Sequence, residues 1–111
     1  MLRVRFYLKG SGRSSVKEFL AECSNEVEAS FYEAVNQLEA GDMLAWPQSK
    51  SLASIHQGLY ELRLKDAAGQ YRFFYFIKNS EAIYFLHAFM KKTQKIPHLQ
   101  IELILKRIKE V

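Results

Sequence analysis

The chain has 111 residues, of which 49% are hydrophobic, 14% aromatic and 25% charged. This length fits one domain with one hydrophobic core, and the composition is that of a packed globular protein, which excludes multidomain, disordered and fibrous proteins. The only cysteine, Cys23, excludes an intramolecular disulfide and a four-cysteine zinc site. No segment approaches the roughly 20 apolar residues of a membrane helix, and the charged start is unlike a signal peptide, so we expect a cytoplasmic protein.

Positive charge is concentrated in the second half of the chain. Residues 56–111 contain ten Lys and Arg side chains against five Asp and Glu, whereas residues 1–55 contain six against seven. Such an excess attracts phosphate groups or an acidic partner. The second half is therefore a candidate surface for nucleic acid, although many small basic domains bind none.

Hydrophobic periodicity predicts a strand and two helices in the first part of the chain. An alternation of period two that begins near Val4 is typical of a strand with one buried face. Ser14 or Ser15 is placed to cap a first helix, and Asn25 is placed to cap a second helix that ends at Gly41. Together the helices predict an antiparallel hairpin.

The remaining elements predict a small α+β fold. From Asp42 to Gly58 no period is clear, and we expect an irregular connection that buries Trp46 in the core. Three strands are predicted next, at Leu59–Lys65, Tyr71–Lys78 and Ala82–Phe89, and the short gaps between them make them antiparallel. A last helix is predicted to begin after Pro97. The order β-α-α-β-β-β-α predicts a four-stranded, mainly antiparallel sheet with an N-terminal helical hairpin and a C-terminal helix.

The usual enzyme signatures are missing from the sequence. It contains no glycine-rich phosphate loop, no His-Glu metalloprotease motif, no nucleophile elbow and no pair of histidines at metal-ligand spacing. We therefore predict neither a metal site nor a cofactor. His87 shares a predicted strand face with Phe85 and Phe89, where a histidine is more often a hydrogen-bonded core residue than a catalyst.

Basic side chains on the predicted strands are candidate contacts to an RNA backbone. Arg63 and Lys65 share a polar strand face, and Arg72 lies near the start of the next strand. Guanidinium groups bind phosphate in a fork geometry, and ammonium groups add positive field. The alternative for each group is a solvated charge or an ion pair with Glu61 or Asp66.

The same region supplies an aromatic ring and a run of lysines. Phe74 follows Arg72 on the same strand face, and an aromatic ring there can stack on an unpaired base. The loop after the last predicted strand carries three ammonium groups, those of Lys91, Lys92 and Lys95. We predict that Lys65, Lys95 and Phe74 bind RNA.

Three blocks of sequence occur in a fixed order, and together they carry a family resemblance. They are GLYELR at residues 58–63, YRFFY at residues 71–75 and LHAFMKKTQKIP at residues 86–97. The blocks resemble the phage-derived, HigB-like branch of the RelE/ParE toxin superfamily, closely over residues 50–109 and loosely before them. The resemblance implies a RelE-like fold and a single toxin domain over residues 1–111.

The resemblance also implies the toxin of a type II toxin–antitoxin module. Many members of the superfamily cleave mRNA in the ribosomal A site, and others poison DNA gyrase. We favour a metal-independent, ribosome-dependent mRNA endoribonuclease whose partners are a helix-turn-helix antitoxin protein and mRNA on the ribosome, with no membrane partner. The alternatives are a non-catalytic toxin, such as a gyrase inhibitor, and a phage-derived protein-interaction module.

Residue by residue, the resemblance implies a catalytic set. The two family arginines match Arg63 and Arg72, the lysine pair matches Lys91 and Lys92, and the preceding histidine matches His87. In RNA cleavage without metal, the arginines would neutralise the charge of the pentavalent phosphate. His87 or a lysine is the candidate general base.

Overall fold

The computed structural model describes residues 2–79 and 82–111. Its strands are β1 (Arg3–Phe6), β2 (Ser49–Ser51), β3 (Leu59–Asp66), β4 (Gly69–Ile77) and β5 (Ala82–Met90), and its helices are α1 (Ser15–Ala21), α2 (Asn25–Glu39) and α3 (His98–Glu110). The sheet has the order β1-β5-β4-β3-β2, in which β1 runs parallel to β5 and the other pairs are antiparallel. Within the described residues, every helix is too short or too polar to cross a membrane.

The predicted α+β class and mainly antiparallel sheet are confirmed, but the prediction of four strands is wrong. The sheet has five strands, and the additional one is β2, in the segment expected to be irregular. Its sequence Ser-Lys-Ser has no apolar alternation, so no periodicity could reveal it. Tertiary contacts hold β2 in place: Ser49 pairs with Leu62 of β3, and its hydroxyl lies 2.7 Å from the buried hydroxyl of Tyr75.

Serine caps begin the two N-terminal helices. Ser14 accepts a hydrogen bond of 3.1 Å from the N–H of Lys17, and Ser24 accepts one of 3.2 Å from the N–H of Val27. Each cap is worth about 1 kcal/mol of stability. The sequence left Ser14 and Ser15 open for α1, and it placed the cap of α2 one residue too late, at Asn25.

The sheet separates two apolar clusters. On one face, α1 and α2 pack around Phe31, whose ring centroid lies 4.9 Å from those of Phe73 and Phe85. On the other face, α3 packs against the strands in a cluster that contains Leu59, Phe74, Leu86, Ile104 and Ile108. Burial of both sheet faces explains why β4 and β5 are apolar on both sides.

Trp46 is not a core residue, contrary to the expectation from sequence. Its side chain is 67% exposed, and the guanidinium carbon of Arg63 lies 4.8 Å from the centre of its ring. The connecting segment contributes smaller side chains to the core instead, because Leu44 packs against the α1–α2 cluster and Leu52 is buried in the α3 cluster.

A β-bulge in β5 places His87 on the α3 side of the sheet. Phe74 pairs with His87 whereas Tyr75 pairs with Phe85, so Leu86 is an additional residue in β5. As a result Phe85 packs in the α1–α2 cluster and Leu86 in the α3 cluster. The predicted common face for Phe85 and His87 is therefore wrong, because strict alternation does not hold across a bulge.

Replacing Phe31 by alanine is expected to lower the free energy of unfolding by about 3–5 kcal/mol, because the fully buried ring would leave a cavity between α2 and the sheet. Urea unfolding followed by circular dichroism measures this loss. Glu33→Ala, on the exposed side of the same helix, is the control and should change the free energy by less than about 0.5 kcal/mol. Equal losses in the two variants would contradict the packing of α2 on the sheet.

Candidate functional site

A cavity of about 330 Å³ opens on the α3 side of the sheet, between strands β2–β4 and the loop that precedes α3. Four basic side chains and one carboxylate line it, namely Lys50, Arg63, Arg72, Lys95 and Glu61. Apolar side chains such as Leu52 and Ile101 complete its wall. Because cations outnumber the carboxylate, the cavity suits an anionic ligand. We call it the basic groove.

Glu61 is the buried group that organises the groove. Its side chain is 2% exposed, and its Oε1 accepts a hydrogen bond of 2.8 Å from Nε of Arg63. Its Oε2 lies 3.2 Å from Nε of Arg72, an ion pair in which neither atom has an aligned hydrogen bond among the described residues. The pairing with Glu61 that the sequence left open as an alternative is thus present for both arginines.

Arg72 ties the sheet to the loop before α3. Its side chain is 3% exposed, and its Nη2 donates hydrogen bonds to the carbonyl oxygens of Thr93 and Gln94, at 3.1 and 3.0 Å. These bonds hold the backbone of the loop that carries Lys95. Arg72 therefore contributes positive charge to the groove wall while most of its hydrogen bonding is to the protein itself.

Arg63 is the more accessible of the two arginines. Its side chain is 21% exposed, and its guanidinium lies over the ring of Trp46. The bond from Nε to Glu61 fixes the direction of the side chain. Among the described residues, its terminal nitrogens have no hydrogen-bond partner, so they are available to an anion in the groove.

His87 lies beneath α3 and does not line the groove. Its Nε2 is 2.5 Å from Oε1 of Gln100, an acceptor, and its Nδ1 is 3.5 Å from a guanidinium nitrogen of Arg107. These contacts fit a neutral ring that donates from Nε2. Burial lowers the pKa of His87 below its ordinary value of 6.5, and the charge of Arg107 acts in the same direction, while the bond to Gln100 opposes them.

Arg107, near the C-terminus of α3, is a second buried arginine. It donates a hydrogen bond of 2.7 Å to the carbonyl oxygen of Leu86 and one of 3.0 Å to the hydroxyl of Ser15. Its guanidinium also lies 4.7 Å from the centre of the Tyr7 ring. These contacts attach α3 to β5 and to the start of α1.

The predicted lysines do not form one surface. Lys95 lines the basic groove, whereas Lys92 lines a separate cavity of about 410 Å³ on the other side of the loop, beside Phe89 and Pro97. Lys91 is half-buried, and its backbone N–H donates to Gln70. Lys65 is exposed near the end of β3 and does not line the groove.

Phe74 belongs to the core and does not have the exposed ring that the sequence interpretation required. Its exposure is 0%, and its ring centroid lies 5.3 Å from that of Phe89 in the α3 cluster. A base cannot stack on a ring that α3 already covers. This corrects the expected RNA contact, and the cause is that α3 extends over this part of the strand face.

The groove brings together Arg63, Arg72 and Lys95 from the predicted set and adds Lys50. Sequence reasoning missed Lys50 because it lies on β2, the strand without a hydrophobic pattern. Among the described residues, the structure contains no cluster of three or more His, Cys, Asp or Glu side chains that could hold a metal ion.

A mixed sheet covered on both faces, with a basic groove on its α3 side, defines a small α+β protein. The family described as "Phage derived protein Gp49-like (DUF891)" matches residues 18–109, and the chain belongs to this family. Gp49-like proteins are toxin-like proteins of the RelE type. No curated protein matches the chain.

Arg72→Ala is expected to lower the free energy of unfolding by about 3–5 kcal/mol. The change leaves the buried Glu61 carboxylate with a single cationic partner, and it leaves the carbonyl oxygens of Thr93 and Gln94 without their hydrogen-bond donor. Thermal and urea unfolding measure the change. Arg5→Ala removes an exposed strand arginine and is the matched control. An unaltered stability of Arg72→Ala would mean that the guanidinium is free to serve a ligand.

The free energy of unfolding is expected to fall as the pH drops through 6.5, the ordinary pKa of histidine. The unfolded chain binds a proton there, whereas the lowered pKa of folded His87 delays protonation, so acid favours unfolding. Urea unfolding between about pH 8 and about pH 5 measures the slope. His87→Gln should flatten it, and the exposed His56→Gln should not. Equal slopes for wild type and His87→Gln would contradict the burial effect.

Proposed function

We propose that this protein is the toxin of a type II toxin–antitoxin module and that it cleaves mRNA on the ribosome without a metal ion. The observation that carries the proposal is the basic groove, in which the accessible guanidinium of Arg63 is held by the buried Glu61. Membership of a phage-derived, RelE-type family supports the toxin assignment. The proposal includes both the assignment to the HigB-like branch and the nuclease activity.

The groove fits the phosphate of an RNA backbone. Cleavage requires the 2′-hydroxyl to lose its proton as it attacks the adjacent phosphate, stabilisation of the pentavalent charge, and a proton for the leaving 5′-oxygen. Because the residues that line the groove include no unpaired base, the proton of the 2′-hydroxyl passes to water in this proposal. In this proposal the terminal nitrogens of Arg63 bind the phosphate oxygens in fork geometry. Lys50 and Lys95 add positive field, and the ammonium of Lys95 is a candidate donor to the leaving oxygen.

We assign Arg72 a positioning role in this mechanism. Its contacts hold Glu61 and the loop that carries Lys95, so its effect on the phosphate acts mainly through these neighbours. His87, with hydrogen bonds on the α3 side, supports the packing of that helix. Neither Lys91 nor Lys92 lines the groove. A catalytic role for these two lysines stays a prediction from the sequence.

The small number of acid–base groups in the groove supports the proposed dependence on the ribosome. The residues that line the groove include no histidine and no carboxylate except Glu61, which is already paired with two arginines. Such a site binds charge well but abstracts a proton poorly. An enzyme of this kind gains most of its rate from a substrate that is oriented for it, and the ribosomal A site supplies that orientation.

The second candidate is a non-catalytic toxin that binds its target, such as DNA gyrase, through the same groove. The full pairing of Glu61 favours it, because a binding protein needs no general base. In both cases a helix-turn-helix antitoxin with an acidic segment would cover the basic groove.

Induced expression in bacterial cells is expected to arrest growth and to cut translated mRNA, while untranslated RNA survives. Primer extension maps the cuts, and a plasmid supercoiling assay runs in parallel. Arg63→Gln should reduce cleavage by about a hundredfold or more, because it removes charge stabilisation from the transition state. Lys109→Gln, an exposed change of equal charge on α3, should leave cleavage intact.

One outcome would contradict the nuclease assignment, and another would contradict the dependence on the ribosome. Intact mRNA with altered supercoiling would move the protein to the gyrase-binding class. Equal cleavage of translated and naked RNA would remove the dependence on the ribosome. Thermal unfolding of each variant separates loss of function from loss of fold.

A further inference from the structure

Trp46 is the single tryptophan of the chain, and it is 67% exposed beside the basic groove. An indole offers a large apolar surface that is normally at least partly buried. Trp46 instead leaves most of this surface in water, immediately before β2. The exposed ring is therefore a candidate contact for a ligand.

The backbone around Trp46 is held at several points. The N–H of Ser49 donates to the carbonyl oxygen of Ala45 at 2.9 Å, which closes the turn that contains Trp46. The carbonyl oxygen of Gln48 accepts from the N–H of Arg63 at 2.7 Å, and the hydroxyl of Ser49 meets that of Tyr75 in the core. The indole is thus presented from a fixed turn, which lowers the entropic cost of binding.

Arg63 connects the indole to the groove. Its guanidinium carbon lies 4.8 Å from the centre of the indole ring, while the same side chain lines the groove and is held by Glu61. A planar aromatic surface and a phosphate-binding surface are therefore joined through one residue. A ligand that uses both must carry a flat apolar group and an anionic group close together.

Nucleotides have this combination of groups. A free inorganic phosphate would occupy the groove without touching Trp46. An apolar peptide segment would cover the indole but would leave Lys50 and Arg63 facing apolar groups. A nucleobase stacks on an aromatic ring in a way that tolerates any base, and its phosphate binds the neighbouring cations.

We propose that Trp46 and Arg63 form a subsite for an unpaired nucleobase of an RNA strand whose adjoining phosphate lies in the basic groove. This inference rests on the proposed function for the identity of the ligand as RNA. Trp46 becomes the residue that binds the base, and the groove binds the backbone beside it.

Because Trp46 is the single tryptophan, its fluorescence reports on this subsite directly. The probes are a short single-stranded RNA with 2′-O-methyl groups, which prevent cleavage, an abasic oligomer with the same number of phosphates, and inorganic phosphate. The RNA is expected to quench the emission saturably, and the abasic oligomer and phosphate are not. Quenching by all of them alike, or by none of them, would overturn the proposal.

Variants test the energetic contribution through the anisotropy of a labelled copy of the same RNA. Trp46→Leu should weaken binding by about tenfold, the effect expected for loss of one stacked base, and Trp46→Phe should restore part of it. Tyr32→Leu, an exposed aromatic on α2, is the control and should bind as wild type does. Unaltered affinity of Trp46→Leu would overturn the subsite and would leave Trp46 as a contact for a protein.

The failure of this inference is distinguishable from failure of the nuclease assignment. Quenching by RNA and weaker binding of Trp46→Leu, without mRNA cleavage in cells, would sustain the subsite and contradict the nuclease. Cleavage of mRNA with unaltered RNA binding by Trp46→Leu would overturn the subsite alone.

Discussion

The basic groove depends on the carboxylate of Glu61. Arg63 and Arg72 are directly opposite each other in the pairing of β3 with β4, and two like charges in such positions repel. Glu61 lies on the same strand face two residues before Arg63, and its two oxygens contact one guanidinium each. The buried negative charge thus permits two arginines to occupy adjacent strands.

The two arginines consequently have different tasks. Arg72 is enclosed and donates to the loop carbonyls of Thr93 and Gln94, so its charge stabilises local structure. Arg63, which shares the carboxylate but not the loop contacts, stays 21% exposed. A resemblance that assigns both arginines to one catalytic set does not distinguish these roles, because the difference arises from the loop that covers one of them.

The sequence predicted the elements with strong periodicity and missed those that tertiary contacts impose. The helical stripe of α2 places its buried residues correctly, since burial of one face of that helix decides the pattern. Strand β2 has no such pattern and forms because β3 offers a free edge. The bulge at Leu86 shifts His87 to the α3 face, and Trp46 is exposed beside Arg63 instead of packing in the core. None of these features has a local signal.

The candidate site was only partly predictable for a related reason. Arg72 and Phe74 lie on one strand face, and alternation alone gives them the same environment. The helix that begins after Pro97 covers Phe74 and makes it core, whereas Arg72 on the same strand and its cross-strand partner Arg63 on β3 line the groove. The boundary between core and site is therefore set by where α3 begins. A shift of that start along the sheet would bury the groove or uncover the core, so the loop that Arg72 anchors determines how much of the strand face is open to a ligand.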